Sequence, residues 1–141
     1  MTSPSPGALP LSQTGTESGL VLIVDDNQKN LKLARDVLRA AGFRTLEAES
    51  GAGGMALAAE HLPDVILMDI RLPDMDGTDA ARTLGSAART ARIPVVALSA
   101  LPLGGDSDWV LAAGFAGYIE KPIDIGEFPD QVRGYCAGAG G

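Results

Sequence analysis

The chain has 141 residues, a formal net charge of −7, 45% hydrophobic and 21% charged residues, and only 4% aromatics. That is one globular domain with enough chain to bury a core, too acidic for a basic phosphate-binding footprint and too poor in aromatics to stack single-stranded nucleic acid; a cation or a basic partner surface fits the balance better. Apolar runs such as 20–24 fall far short of the roughly 18 residues of a membrane span, and the single Cys136 can form no internal disulfide, so with no export signal in view the expectation is a cytoplasmic protein without membrane insertion.

Residues 1–19, MTSPSPGALPLSQTGTESG, carry no apolar period and read as a disordered tail; the folded unit is expected over 20–136, and a flexible glycine-rich tail over 137–141. The first strand is Leu20-Val-Leu-Ile-Val24. A helix over 27–41 follows, with Leu31, Ala34, Val37, Leu38 and Ala41 on one stripe, and it stops at Gly42. Arg44–Ala48 is the second strand, and a helix over 52–61 opens after Ser50-Gly51 and closes before Leu62-Pro63. The third strand spans 64–68, and its helix spans 78–88 with Thr78 or Asp79 as cap. A fourth strand over 94–98 leads to a helix over 105–113 that ends at Gly114. Residues 117–119 form the fifth strand, and 124–135 the last helix, unbroken only if Pro129 falls in its first turn. Five strands alternating with five helices make an α/β fold, a doubly wound five-stranded parallel sheet whose right-handed crossovers cover both faces.

Sheets of this kind place ligand sites beyond the carboxyl ends of their strands. Asp25 and Asp26 follow the first strand, Asp69 the third and Ser99 the fourth, while Lys121 and Pro122 come just after the fifth. If the strands are neighbours, three carboxylates, a hydroxyl and an ammonium share one cleft. Crowded carboxylates resist ionisation unless a cation neutralises them, and oxygen ligands without His or Cys suit Mg²⁺. A carboxylate beside such an ion, a lysine and a hydroxyl is placed to attack a phosphoryl group, and the product would be an aspartyl phosphate.

The segments Leu22-Ile-Val-Asp-Asp-Asn27, Ile66-Leu-Met-Asp-Ile-Arg-Leu-Pro-Asp-Met-Asp-Gly77, Ala97-Leu-Ser-Ala100 and Gly117-Tyr-Ile-Glu-Lys-Pro122 resemble the receiver domain of two-component response regulators, in the same order and over nearly all of 20–136. The resemblance is strongest to stand-alone, single-domain receivers. It implies the flavodoxin-like strand order 2-1-3-4-5, Asp69 as phosphoacceptor, and a Mg²⁺ site formed by Asp25, Asp26, Asp69 and the backbone carbonyl of Arg71. Lys121 would contact the phosphoryl group beside a cis peptide to Pro122, and Ser99 and Tyr118 would form the conformational switch. The implied partners are a histidine kinase or histidine phosphotransferase and a downstream protein on the face of helix 4, strand 5 and helix 5, where Trp109 is a candidate anchor. The chain would catalyse only its own phosphorylation and dephosphorylation. Arg71 and Leu101 would flank the path of the hydrolytic water.

Singly, each residue has a plainer reading. Asp25-Asp26 can cap a helix, Asp69 can be a turn residue, Ser99 a satisfied strand-end hydroxyl, Lys121 a surface lysine and Tyr118 a packing residue. Only the set explains all the strand-following positions at once. Asp74-Met-Asp-Gly-Thr78 reproduces the D-x-D-G-T nucleophile motif of haloacid-dehalogenase-type phosphatases, but that chemistry needs its first Asp directly after a strand, and Leu72-Pro73 intervene. A nucleotide-binding flavodoxin-like protein lacks support, because neither G-x-G-x-x-G nor a P-loop occurs. A receiver-like docking module that never takes phosphate would not require every charged member of the set.

Overall fold

The computed structural model describes residues 19–99 and 108–136. The expected tails over 1–18 and 137–141, the start of the fourth helix at 105–107, and Ala100 and Leu101 lie outside the described residues, as does the side chain of Trp109. In chain order the elements are β1 (Leu20–Val24), α1 (Gln28–Ala40), β2 (Arg44–Ala48), α2 (Gly51–His61), β3 (Val65–Asp69), α3 (Gly77–Ser86), β4 (Val95–Ser99), α4 (Asp108–Ala112), β5 (Gly117–Glu120) and α5 (Phe128–Tyr135). The strands form one sheet in the order β2-β1-β3-β4-β5, with every pairing parallel.

Alternation along the strands divides the apolar residues between two cores. Val21, Ile23, Val65, Leu67, Val96 and Leu98 face Leu31, Ala34 and Leu38 of α1 and Phe128 and Val132 of α5. Leu22, Val24, Ile66, Met68, Val95 and Ala97 face Ala58 of α2, Ala80, Ala81 and Leu84 of α3, and Val110 of α4. The second core is built on small helical residues, so its helices sit close to the sheet. At Gly54 a Cβ would lie 2.6 Å from Val24 Cγ2, which leaves room only for hydrogen.

Several boundaries differ from the sequence expectation. β3 and β4 begin and end one residue later than expected, so Asp69 and Ser99 are the last residues of their strands. Asp64 precedes β3, and its carboxylate accepts the Leu20 N–H at 2.8 Å. Asn27 is the N-cap of α1, its side chain accepting from Lys29 N (2.9 Å) and Asn30 N (3.2 Å). The cap of α3 is Asp76, accepting from Thr78 N at 2.8 Å, rather than Thr78 or Asp79. The last helix starts at Phe128 instead of residue 124. Asp124 Oδ1 accepts from Gly126 N and Glu127 N at 2.9 and 3.1 Å and holds a turn there, and Pro129 then falls in the first turn, where its missing N–H costs no helical bond.

Candidate functional site

Parallel register brings the strand ends to one edge: Val24 lies beside both Ala48 and Met68, Asp69 beside Leu98, and Ser99 beside Glu120. Asp25 is fixed by its own N–H, which donates to Ala48 O at 3.0 Å, and its side chain is only 1% exposed. Its Oδ1 accepts the Asn27 N–H at 2.9 Å. Its Oδ2 accepts from Asn30 Nδ2 at 3.4 Å and pairs with Lys121 Nζ at 2.7 Å. Asp69 is half-buried opposite it. There Oδ1 accepts the Arg71 N–H at 3.1 Å and Oδ2 meets the same Lys121 ammonium at 3.2 Å. Asp26 is exposed, yet Asp25, Asp26 and Asp69 each offer one oxygen within 4.8 Å of the others.

Lys121 is held from behind by its backbone. Its N–H donates to Ser99 O at 2.7 Å, and the Lys121–Pro122 peptide is cis. Ser99 is buried at the end of β4. Tyr118 is half-buried on β5 against the core that α3 and α4 cover. Arg71 places its N–H at the Asp69 carboxylate while its side chain lies in solvent. Asn30, which sequence reasoning missed, faces the cleft from the first turn of α1, three residues beyond the cap, a spacing that could have flagged it.

The electrostatics follow from this crowding. Burial pushes the Asp69 carboxyl above its ordinary range and the charge of Asp25 adds to that, against the opposing Arg71 N–H and Lys121 ammonium. Burial alone would lower Lys121, but its two carboxylate partners outweigh it and hold the ammonium more firmly protonated. Three carboxylates against one ammonium leave the cleft short of positive charge. All-oxygen donors in excess negative charge fit a hard divalent cation such as Mg²⁺, with Asp25, Asp26 and Asp69 as the side chains able to hold it.

The loop from β3 to α3 closes on itself. Gly77 N donates to Ile70 O at 2.7 Å, and Arg71 and Asp76 form an isolated antiparallel bridge. Gly77 is obligatory here, because a Cβ would run into the Asp69 carbonyl oxygen and Ile70 Cα. Asp74, the first residue of the phosphatase-like motif, is outside the carboxylate cluster. Both its oxygens are taken by the amides of Gly51 (2.8 Å) and Ala52 (2.9 Å) at the start of α2.

Residues 21–133 match the response regulator receiver domain family. The chain belongs to that family. This receiver is 39% identical over 119 residues to the polar-differentiation response regulator DivK of Brucella ovis, a match covering 84% of the chain and 97% of that relative. Among solved structures, the receiver domain of a sensor histidine kinase from Pseudomonas aeruginosa PAO1 is 32% identical, with a TM-score of 0.76 over 87% of this chain and 98% of that one; it carries a magnesium ion coordinated in its active site cleft. The chemotaxis response regulator CheY4 of Vibrio cholerae, at 22% identity, TM-score 0.76 and coverage of 82% and 97%, shares the fold. The receiver reading of the four sequence segments is thus borne out, along with the strand order. Among the described residues no helix is long and apolar enough to cross a membrane.

Proposed function

We propose that this receiver takes a phosphoryl group onto Asp69 from a phosphohistidine of a histidine kinase or histidine phosphotransferase. The observation that carries the reading is the single Lys121 ammonium bridging Asp25 (2.7 Å) and Asp69 (3.2 Å) inside a three-carboxylate cluster. A carboxylate oxygen of Asp69 forms the new bond to phosphorus as the phosphorus–nitrogen bond of the donor breaks, and the electron pair leaves on the imidazole. Lys121 is placed to balance charge on the transferring oxygens, and Ser99, at the end of the neighbouring strand, to donate its hydroxyl to one of them. Asp25, Asp26, Asp69 and the Arg71 carbonyl would hold Mg²⁺, which when bound supplies neutralising charge and polarises the phosphoryl oxygens. The same groups run hydrolysis of the acyl phosphate, so the chain acts on itself and on no outside substrate.

The modified state reads out through Ser99 and Tyr118 to a downstream protein on the face of α4, β5 and α5, with Trp109 as candidate anchor. The folded unit over 20–136 carries this activity and works in the cytoplasm. The test is transfer from an autophosphorylated histidine kinase. Wild type should take up label in Mg²⁺ and not in chelator, Asp69→Asn should take up none, and a pull-down should retain its partner only with the labelled form. Labelling of Asp69→Asn equal to wild type would overturn the assignment.

A further inference from the structure

The first turn of α2 is capped by two different parts of the chain. The hydroxyl of Ser50, the N-cap, accepts the Gly53 N–H at 3.0 Å. The two amides before it, Gly51 and Ala52, are taken by Asp74, which lies 23 and 22 residues further on at the tip of the β3–α3 loop. Charge reinforces this contact, since a carboxylate faces the positive end of a helix, and the two amides hold the Asp74 carboxyl below its ordinary range. Met75 presses on the same turn: a Cβ on Gly51 would come within 2.6 Å of Met75 Sδ. The base of that loop carries Arg71, whose N–H donates to the acceptor carboxylate.

We propose that Asp74 is a positioning residue that latches the acceptor's loop onto the start of α2 and thereby sets the affinity of the cleft for Mg²⁺. The inference rests on the proposed metal role of the site and adds to it a residue that touches neither the metal ligands nor the phosphoryl group. With both ends of the loop anchored, at Ile70–Gly77 and at Asp74, residue 71 has one place to be. Once the tip is released, residue 71 must be ordered when the ion binds, and affinity falls by that amount. The arrangement also makes α2 part of the site, although none of its side chains reaches the cleft carboxylates.

Calorimetric titration with Mg²⁺, alongside thermal melts of the metal-free proteins, separates positioning from mere helix capping. Asp74→Ala should raise the Mg²⁺ dissociation constant about tenfold, and Asp74→Asn, which keeps one acceptor oxygen without the charge, should fall between. Ser50→Ala removes the other cap of the same helix turn; it should lower the melting temperature comparably and leave Mg²⁺ affinity in place. An unchanged dissociation constant in Asp74→Ala, or an equal shift in Ser50→Ala, would overturn the latch while leaving the metal site standing. Absence of Mg²⁺ binding in the wild type would overturn the metal site and the latch together.

Discussion

The two loops that carry the acidic residues are built on different plans. Between β1 and α1 the loop's own bonds are local: Asp25 accepts from Asn27 and Asn30, and Asn27 caps the helix that Asn30 belongs to, while Ala48 and Lys121 tie Asp25 to the neighbouring strands. Between β3 and α3 the loop is closed at its base by its own backbone, but its tip is bonded to α2 through Asp74. The Asp25 carboxylate is therefore held by the start of α1 together with the Lys121 ammonium. The Asp69 side depends on contacts far apart in sequence, and it is the side that the proposed phosphoryl transfer would modify. Lys121 bridges the two sides, its ammonium pairing with both Asp25 and Asp69.

The sharpest way to break the acceptor side alone is Gly77→Ala. The added methyl meets the Asp69 carbonyl and Ile70 Cα, both backbone, so the loop must move. Denaturant unfolding should show a loss of about 3 kcal/mol. Lys121→Met tests the bridge. It leaves Asp25, 1% exposed, without its ammonium and facing Asp69, which should cost about 2 kcal/mol in the metal-free protein. Added Mg²⁺ should restore part of that stability, because ligand binding to the folded state alone stabilises it.

A smaller effect of opposite sign separates Asp69 from its neighbours. Its folded pKa is raised, chiefly by burial, so the ionised carboxylate works against folding, and that penalty grows as pH rises through the folded value. Asp69→Asn should therefore raise the metal-free melting temperature at pH 7 by about 2–5 °C. The advantage should shrink toward zero as pH is lowered past about 4, where the wild-type carboxyl is protonated in both states. A constant advantage across that range would mean that packing, not charge, is responsible.

The local plan was the legible one. Asp25, Asp26, Asp69, Ser99 and Lys121 follow strands whose apolar runs stand out, so knowing where such sheets keep their sites was enough to group them. The alternation that splits Leu22 from Ile23 into opposite cores is likewise a property of single strands. What escaped was non-local or ambiguous in the chain. Asp74 sits in a segment that mimics a nucleophile motif, and nothing in the sequence of 70–77 points to the amides of Gly51 and Ala52. The run Asp76-Gly-Thr-Asp79 offers three plausible caps, and only the backbone chooses the first. At α5, Asp124 has the chemistry of a helix start but closes a separate turn, because Gly126 and Glu127 give it nearer amides than the helix does.

The central claim is that Asp69, and no other carboxylate of the cleft or its loop, accepts the phosphoryl group. Incubating the protein with a small acyl phosphate in Mg²⁺, trapping the product, cleaving the chain and locating the modification by mass spectrometry tests it directly. One phosphoryl group should be found on Asp69, and none in chelator. A group on Asp25, Asp26 or Asp74, or undiminished labelling in chelator, would contradict the account.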